Sequence, residues 1–543
     1  MKKSRTSDSK WDFRAVAGRD AKWLIPVTAL LAVLLFFRLG DYSLWDDEAM
    51  TALPALAITQ TGDTSAMVGK NLIAYQNGKH LRNMKDRLAP PFAPYVAAVL
   101  LGFFPNSAFA ARLPFALAGL ASFILLIIWI RMEGASLRVS LLVSAGWLCN
   151  VSLLLYCRQS RYYAFVVLLT ILCGIAYSRY LQGKGHLILI SVLMGLLYGF
   201  FYLAYFILGA CFALDYFIFG RKQRKLSVSD VVGAVLTQAA IIVPVFIIWN
   251  PFGTIYSEVA TPNTPFQHLS LIWWNIRDMN ANEFCSIVFL AIATFAAWRF
   301  GKPAILRLGI FLFFYVILTS LVSPQPLADA TQADVRYLAG IIPVGILIAA
   351  LSIDWLAGKS NLMSGAMAVL IFGTNLTNGG LLLEKFRSTP VLFAKELVHP
   401  NPEPYTAASD WIKKNVRNGE TIWVVPEYMM YPLMFSAPHA IYAWQLDNPP
   451  REQFKNLPPI HFKGVVPPDY LIAFGPVSTQ LRALMKTWRK QGLVYTEAAN
   501  LHVFWKDLYR PELFWRSFTP IKDFNPQSDG IFIFHRIKPL DKS

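Results

Sequence analysis

The chain has 543 residues, of which 55% are hydrophobic and only 15% charged. A soluble domain carries about 25% charged residues, so a soluble globular protein is excluded and a polytopic membrane protein is indicated. The net charge of +17 does not point to nucleic acid, because much of it lies in short loops between apolar runs, where Lys and Arg set topology.

The first 22 residues carry Lys2, Lys3, Arg5, Lys10, Arg14, Arg19 and Lys22, which predicts a cytoplasmic N-terminus. An apolar run over 23–39 follows. The residues after it are bulky and acidic, unlike a cleavage site, so the run reads as a span and not as a removed signal. Three consecutive carboxylates, Asp46, Asp47 and Glu48, then stand at the far mouth of this span, behind Trp45. Charge held beside hydrocarbon is costly and usually functional. The plainer reading is a solvated acidic turn opening a helix over 49–58, since acids favour helix N-termini.

The segment 51–89 is polar, with Lys79, Arg82, Lys85 and Arg87 near its end. Residues 91–105 are apolar but fewer than the roughly 20 that a span needs, so they read as a helix at the outer interface. Further spans are expected near 108–130, 137–156, 162–181, 186–200, 201–219, 230–249, 284–299, 305–322, 337–357 and 361–383. That makes about eleven, with 186–219 the least sharply divided. The loops predicted inside hold Arg131 and Arg138, Arg179 and Lys184, Arg221 to Lys225, Arg299 to Arg307, and Lys359. The short outer loops hold few cations, so the alternation obeys the positive-inside rule. An odd number of spans puts the C-terminus outside.

From Glu384 the apolar runs shrink to a few residues, at 422–425, 440–444, 470–474, 502–505 and 531–535. Helical patterns over 405–416 and 478–491 alternate with them. This predicts a membrane region over 1–383, with a first outer loop at 40–107, and an extracytoplasmic α/β domain with a mixed or incomplete sheet over 384–543. The five cysteines all fall in or beside apolar segments, so no disulfide framework or zinc pattern is indicated in the outer domain.

Cations at predicted outer span ends stand against the topology rule. They are Arg158 and Arg161, in Cys157-Arg158-Gln159-Ser160-Arg161-Tyr162-Tyr163, then Arg112 before Leu113-Pro114, and Arg336 before Tyr337. Each alone reads as an interfacial anchor. Several span ends bringing Arg to one leaflet, opposite an acidic triplet, describe a site where guanidinium groups hold a phosphate while a carboxylate acts beside it. A divalent cation at Asp46 and Asp47 is the weaker option, for want of a second acidic cluster. The sequence contains no Gly-x-Gly-x-x-Gly, phosphate-binding loop or His-Glu-x-x-His motif.

Leu44-Trp45-Asp46-Asp47-Glu48-Ala49, followed by Thr61-Gly62-Asp63, resembles the first outer loop of polyprenyl-phosphate-dependent glycosyltransferases of the GT-C fold. The branch it resembles holds bacterial relatives of protein O-mannosyltransferases and the aminoarabinose transferases of lipid A. Pro90-Pro91, Ala111-Arg112-Leu113-Pro114, Arg158 to Tyr163 and Arg336-Tyr337-Leu338 agree in order. The likeness spans about residues 20–350. Ala89 stands where the aminoarabinose branch usually has a basic residue, and Gln159 where the family usually has Glu.

The resemblance implies a polytopic α-helical protein of the bacterial inner membrane that transfers one sugar from a polyprenyl-phosphate carrier to a glycolipid, glycan or protein acceptor on the extracytoplasmic face. No metal ligand is assigned among these residues. Asp47 would be the catalytic carboxylate, with Asp46 and Glu48 beside it. Arg158, Arg161, Arg336, Lys85 and Arg112 would face the donor phosphate, and Tyr162, Tyr337 and Asp63 the substrates. A single carboxylate suits an inverting displacement, since a retaining one needs a second, nucleophilic carboxylate. The alternative is a transporter or flippase of lipid-linked sugars, in which the same acids and arginines bind cargo.

Overall fold

The apolar runs fold as helices wherever a cap or a break lets them start and stop. The computed structural model describes residues 13–87, 90–249, 264–281, 286–325, 327, 333–377, 386, 388–505 and 524–537. The cations Lys2, Lys3, Arg5 and Lys10, Cys285, residues 378–383 of the last expected span, and the expected domain boundary at Glu384 lie outside these. Helix α1 (Phe13–Phe36) is followed by α2 (Asp46–Thr61), which carries the acidic triplet in its first turn and ends at Gly62 in the left-handed region (φ 76°). Two short hairpins, β1–β2 (Met67–Val68, Asn71–Leu72) and β3–β4 (Leu81–Arg82, Lys85–Asp86), lead to α3 (Phe92–Leu101). At 10 residues α3 is too short to span.

Five helical stretches are long and apolar enough to cross a membrane: α4 (Ala108–Met132), α7 (Tyr163–Leu181), α10 (Val228–Ile248), α13 (Pro303–Val322) and Val335–Ala357. The last opens with a 3₁₀ segment, Val335–Ile341, and continues as α14 (Ile342–Ala357). The expected span at 137–156 is bent by 65° between α5 (Leu137–Cys149) and α6 (Val151–Arg158), and counts as a sixth if taken as one. Asn150 causes the break: its side chain accepts the N–H of Leu153 at 2.9 Å and restarts the helix as an N-cap.

Helices α8 (Leu187–Phe200), α9 (Tyr202–Ile218), α12 (Ile287–Arg299) and α15 (Asn361–Phe372) are apolar but run only 12 to 17 residues. The amphipathic α11 (Pro265–Ala281) lies between α10 and α12 in the chain. By helix length and composition alone, five or six stretches among the described residues could span, and the other expected spans fall on the shorter helices. The run 186–219 divides at Phe201, whose extended backbone (φ −160°, ψ 99°) separates α8 from α9. Helix α10 buries none of its most apolar window, so its surface suits lipid on nearly every side.

The C-terminal part holds α16 (Thr389–Val398), α17 (Pro404–Asn415), α18 (Met430–Ser436) and α19 (Val477–Arg489) around a five-stranded sheet. Its order is β6-β5-β7-β9-β8, from β5 (Thr421–Val425), β6 (Ile441–Tyr442), β7 (Tyr470–Phe474), β8 (Val494–Leu501) and β9 (Ile531–Ile537). Strand β5 runs parallel to β6 and β7, whereas β9 is antiparallel to β7 and β8. The sheet is mixed, as expected. The strand expected at 502–505 is instead β8, which ends at Leu501. This edge strand is half exposed and interrupted by a bulge between Glu497 and Ala499, so its apolar alternation is lost.

The C-terminal part packs on the first outer loop. The Asn71 side chain donates to the carbonyls of Pro438 and Ala440 (3.2 and 3.0 Å) and accepts the N–H of Tyr442 (2.9 Å). Buried Ala52 and Leu56 of α2 belong to the same apolar core as Met430 and Leu433 of α18.

Candidate active site

Three neighbouring carboxylates take three different directions, because successive residues of a helix point about 100° apart. Glu48 turns inward and its side chain is 0% exposed. Arg112 meets it as a fork, Nε to Oε1 at 2.8 Å and Nη2 to Oε2 at 2.6 Å. Oε1 also accepts the N–H of Ser160 at 2.7 Å, and Oε2 that of Trp45 at 3.3 Å. Arg112 further donates to the carbonyls of Leu39, Tyr42 and Ser43, at 2.9 to 3.0 Å. This buried, saturated pair ties the acidic loop to two span ends. Asp46 accepts the backbone N–H of Asp47 at 2.8 Å, at the helix start.

Asp47 is half-buried, with 23% of its side chain exposed. Its Oδ2 accepts Nη1 of Arg336 and lies 3.5 Å from Nη2 of Arg161. Each arginine is itself held. Asp334 pairs with Nη2 of Arg336 at 2.7 Å, and Nη1 of Arg161 donates to Oγ1 of Thr51, one turn along α2 from Asp47, at 3.3 Å. Tyr162 and Tyr337 back the two arginines, with guanidinium carbons 5.3 and 5.6 Å from the ring centres. Between the tyrosines lies Phe201, stacked on Tyr162 at 4.3 Å and on Tyr337 at 5.7 Å. Asp47, Arg161, Arg336, Tyr162 and Tyr337 thus come together from α2 and two separate span ends.

Four other expected members of this cluster are engaged elsewhere. Arg158 donates Nη1 to the carbonyls of Leu34, Leu35 and Phe37 (2.7, 3.1 and 3.0 Å) and Nη2 to that of Arg38 (3.3 Å). It caps the C-terminus of α1, whose last carbonyls have no partner within the helix. Arg112 is committed to Glu48. Asp63 lies beyond the far end of the 16-residue α2, roughly 24 Å from Asp47 at 1.5 Å per residue. It is gripped there by Arg87 (2.7 Å to each oxygen) and by Lys85 (2.7 Å). The Arg87 hydrogen bonds, aided by Lys85, hold the Asp63 carboxyl well below the usual carboxylate range. These residues shape the loop and do not touch the Asp47 cluster.

Sequence reasoning missed Phe201, Thr51 and the role of Arg87. Thr51 lies four residues after Asp47, a spacing that puts both on one face of a helix. Arg87 stood in the sequence as one of several loop cations, and only its fork onto Asp63 sets it apart. Nothing in the apolar run around Phe201 marks it, apart from the uncertain division of that run.

Chemically, the cluster is a carboxylate bracketed by two guanidiniums on an aromatic floor. Such a setting receives an anion more readily than a cation, because the arginines can exchange one acidic partner for another. Among the described residues no group of three or more His, Cys, Asp or Glu side chains is gathered as a metal site would require.

Fold and site are those of a polytopic membrane protein whose acidic loop and arginine-bearing span ends resemble the GT-C architecture. No protein-family model matches the sequence, and no curated protein matches it. Solved structures of ArnT from Cupriavidus metallidurans share the fold. The apo state is 14% identical with a TM-score of 0.55, over 96% of this chain and 98% of that one. The form bound to undecaprenyl phosphate is 13% identical with a TM-score of 0.55, over 95% and 98%.

Proposed function

We propose that the protein is an integral membrane glycosyltransferase that moves one sugar from a polyprenyl-phosphate carrier to an acceptor hydroxyl, with inversion, on the extracytoplasmic face. The observation that carries this reading is the Asp47 carboxylate set between Arg161 and Arg336 at the ends of membrane helices. A fold shared with a protein that binds undecaprenyl phosphate supports it. The charge alternation of the loops supports the outer side.

In the resting arrangement the two arginines neutralise Asp47. A donor phosphate would compete for the same guanidiniums, and binding it would free Asp47 to take the proton of an acceptor hydroxyl. As the sugar–oxygen bond breaks, negative charge grows on the phosphate, and the arginine forks stabilise it more strongly than in the ground state. Tyr162, Phe201 and Tyr337 supply an apolar floor on which a sugar ring can lie. The lipid tail needs no nucleotide-type phosphate loop, because the bilayer already concentrates the donor at the span ends.

The test uses purified protein in detergent, with acceptor-containing envelope extract and two donors. One is the polyprenyl-phosphate sugar fraction that accumulates in a strain lacking the protein; the other is a mixture of nucleotide sugars. Consumption of the lipid-linked sugar, followed by mass spectrometry, is expected. Transfer from a nucleotide sugar with none from the lipid fraction would overturn the reading.

A further inference from the structure

The loop that carries Asp47 into place, residues 41–45, is gripped from two sides. From the membrane helices Arg112 holds the carbonyls of Tyr42 and Ser43 at 2.9 and 3.0 Å. From the C-terminal part Thr406 Oγ1 accepts the N–H of Ser43 at 3.0 Å and lies 3.2 Å from its Oγ. Thr406 has one hydroxyl proton, and its shortest contact is with Oε2 of Glu403 at 2.7 Å. The shorter contact takes the proton, so it goes to Glu403. Both Thr406 lone pairs then turn to Ser43.

Glu403 is buried, and its other hydrogen bonds come from the N–H groups of Tyr405 (2.9 Å) and Thr406 (2.7 Å) at the start of α17. An N-cap alone is served as well by an exposed Ser or Asp. Burying a carboxylate for it is an expense that a cap does not require, and burial raises the Glu403 pKa to about 7. The same Glu403 lines a cavity of about 60 Å³ whose wall includes Glu48, Arg112 and Arg158. It faces the back of the acidic loop.

We propose that Glu403 and Thr406 are positioning residues for the transfer reaction, and that through Ser43 the C-terminal domain holds Asp47 in line with Arg161 and Arg336. The inference rests on the reading of Asp47 as the base. The path is continuous: Ser43 O to Arg112, Arg112 to Glu48, and Glu48 to the N–H of Ser160, the neighbour of Arg161. Slack at Ser43 is felt on both sides of the Asp47–Arg161 contact. Docking of the domain does not depend on this point, since Asn71 and Asn77 hold it elsewhere, Asn77 through Asp447.

The experiment compares full-length wild type, Thr406→Val, Thr406→Ser and Asp447→Asn in detergent. It measures kcat, the KM for the lipid donor, thermal unfolding, and hydrogen exchange at residues 43–48. A misplacement of ~1 Å costs up to about 100-fold. Thr406→Val should therefore lose about 10- to 100-fold in kcat, with KM and melting temperature close to wild type and faster exchange at 43–48. Thr406→Ser should restore kcat, and Asp447→Asn should match wild type. Retained kcat in Thr406→Val, an equal loss in Asp447→Asn, or unchanged exchange would overturn the proposal. If wild type itself transfers nothing from the lipid donor, the functional reading fails and so does the catalytic role of the clamp. The exchange measurement then decides separately whether Thr406 holds the loop.

Discussion

Asp47, in the first turn of α2, and Arg336, at the opening of the last long span, share a charge-assisted hydrogen bond across 289 residues of chain. With Arg161 on the other flank, this contact brings the acidic loop and two span ends to one point. The adjacent Glu48 makes its own ion pair, with Arg112, in a fully buried setting. The two neighbours should therefore fail in different ways when altered.

Asp47→Asn keeps size and most hydrogen bonds but removes the base. Turnover should fall roughly 10²–10⁴-fold, the usual contribution of acid–base catalysis, while the protein still folds and binds polyprenyl phosphate. Initial-rate assays beside a binding measurement check this, and a near-normal rate would remove Asp47 from the mechanism.

Glu48→Gln or Arg112→Met leaves an uncompensated charge in a buried site. Breaking such a pair costs about 3–5 kcal/mol, so these variants should show reduced yield and a lowered melting temperature in detergent. Wild-type stability in both would mean that the pair is not structural.

The arginines should separate by role. Arg161→Lys and Arg336→Lys keep the charge but lose the planar fork, so the KM for the lipid donor should rise and kcat fall. Arg158→Lys loses several of the carbonyl contacts at the end of α1, and its effect should appear in thermal stability with donor KM unchanged. A donor KM raised by Arg158→Lys and not by the other two would reverse the assignment.

Glu403 predicts a pH dependence of stability. Burial lifts its folded-state pKa from the ordinary 4.5 to about 7. Between those values the folded state holds a proton that the unfolded chain has released, so stability is fully present below about 4.5 and falls as pH rises through 7. The span corresponds to about 3 kcal/mol. Glu403→Gln loses part of the cap but has no such slope. Its deficit relative to wild type should shrink between pH 5 and pH 8 in thermal unfolding, and a constant deficit would show that Glu403 titrates normally.

A carboxylate already occupied by two guanidiniums has no need of a bridging cation. Transfer should therefore persist in excess EDTA, and a loss restored by a divalent ion would return the metal to the Asp46–Asp47 pair.

Much was legible in the chain alone because bilayers and helices impose one-dimensional rules. Apolar length marks the membrane region, Lys and Arg placement suggests sidedness, and the acids after the first apolar run stand out before any contact is known. The mixed sheet was likewise visible as short apolar runs between helical patterns. Only tertiary structure decided which members of each patch meet. Arg158 and Arg161 are three residues apart, yet one caps α1 and the other faces Asp47, because α6 ends at Arg158 and the chain turns before α7 begins. Asp46, Asp47 and Glu48 are chemically near-equivalent in sequence and diverge through helical rotation alone. The kink at Asn150, the break at Phe201 and the Thr406–Ser43 contact over 363 residues depend on where distant chain arrives. That is a matter of packing, which no local pattern encodes.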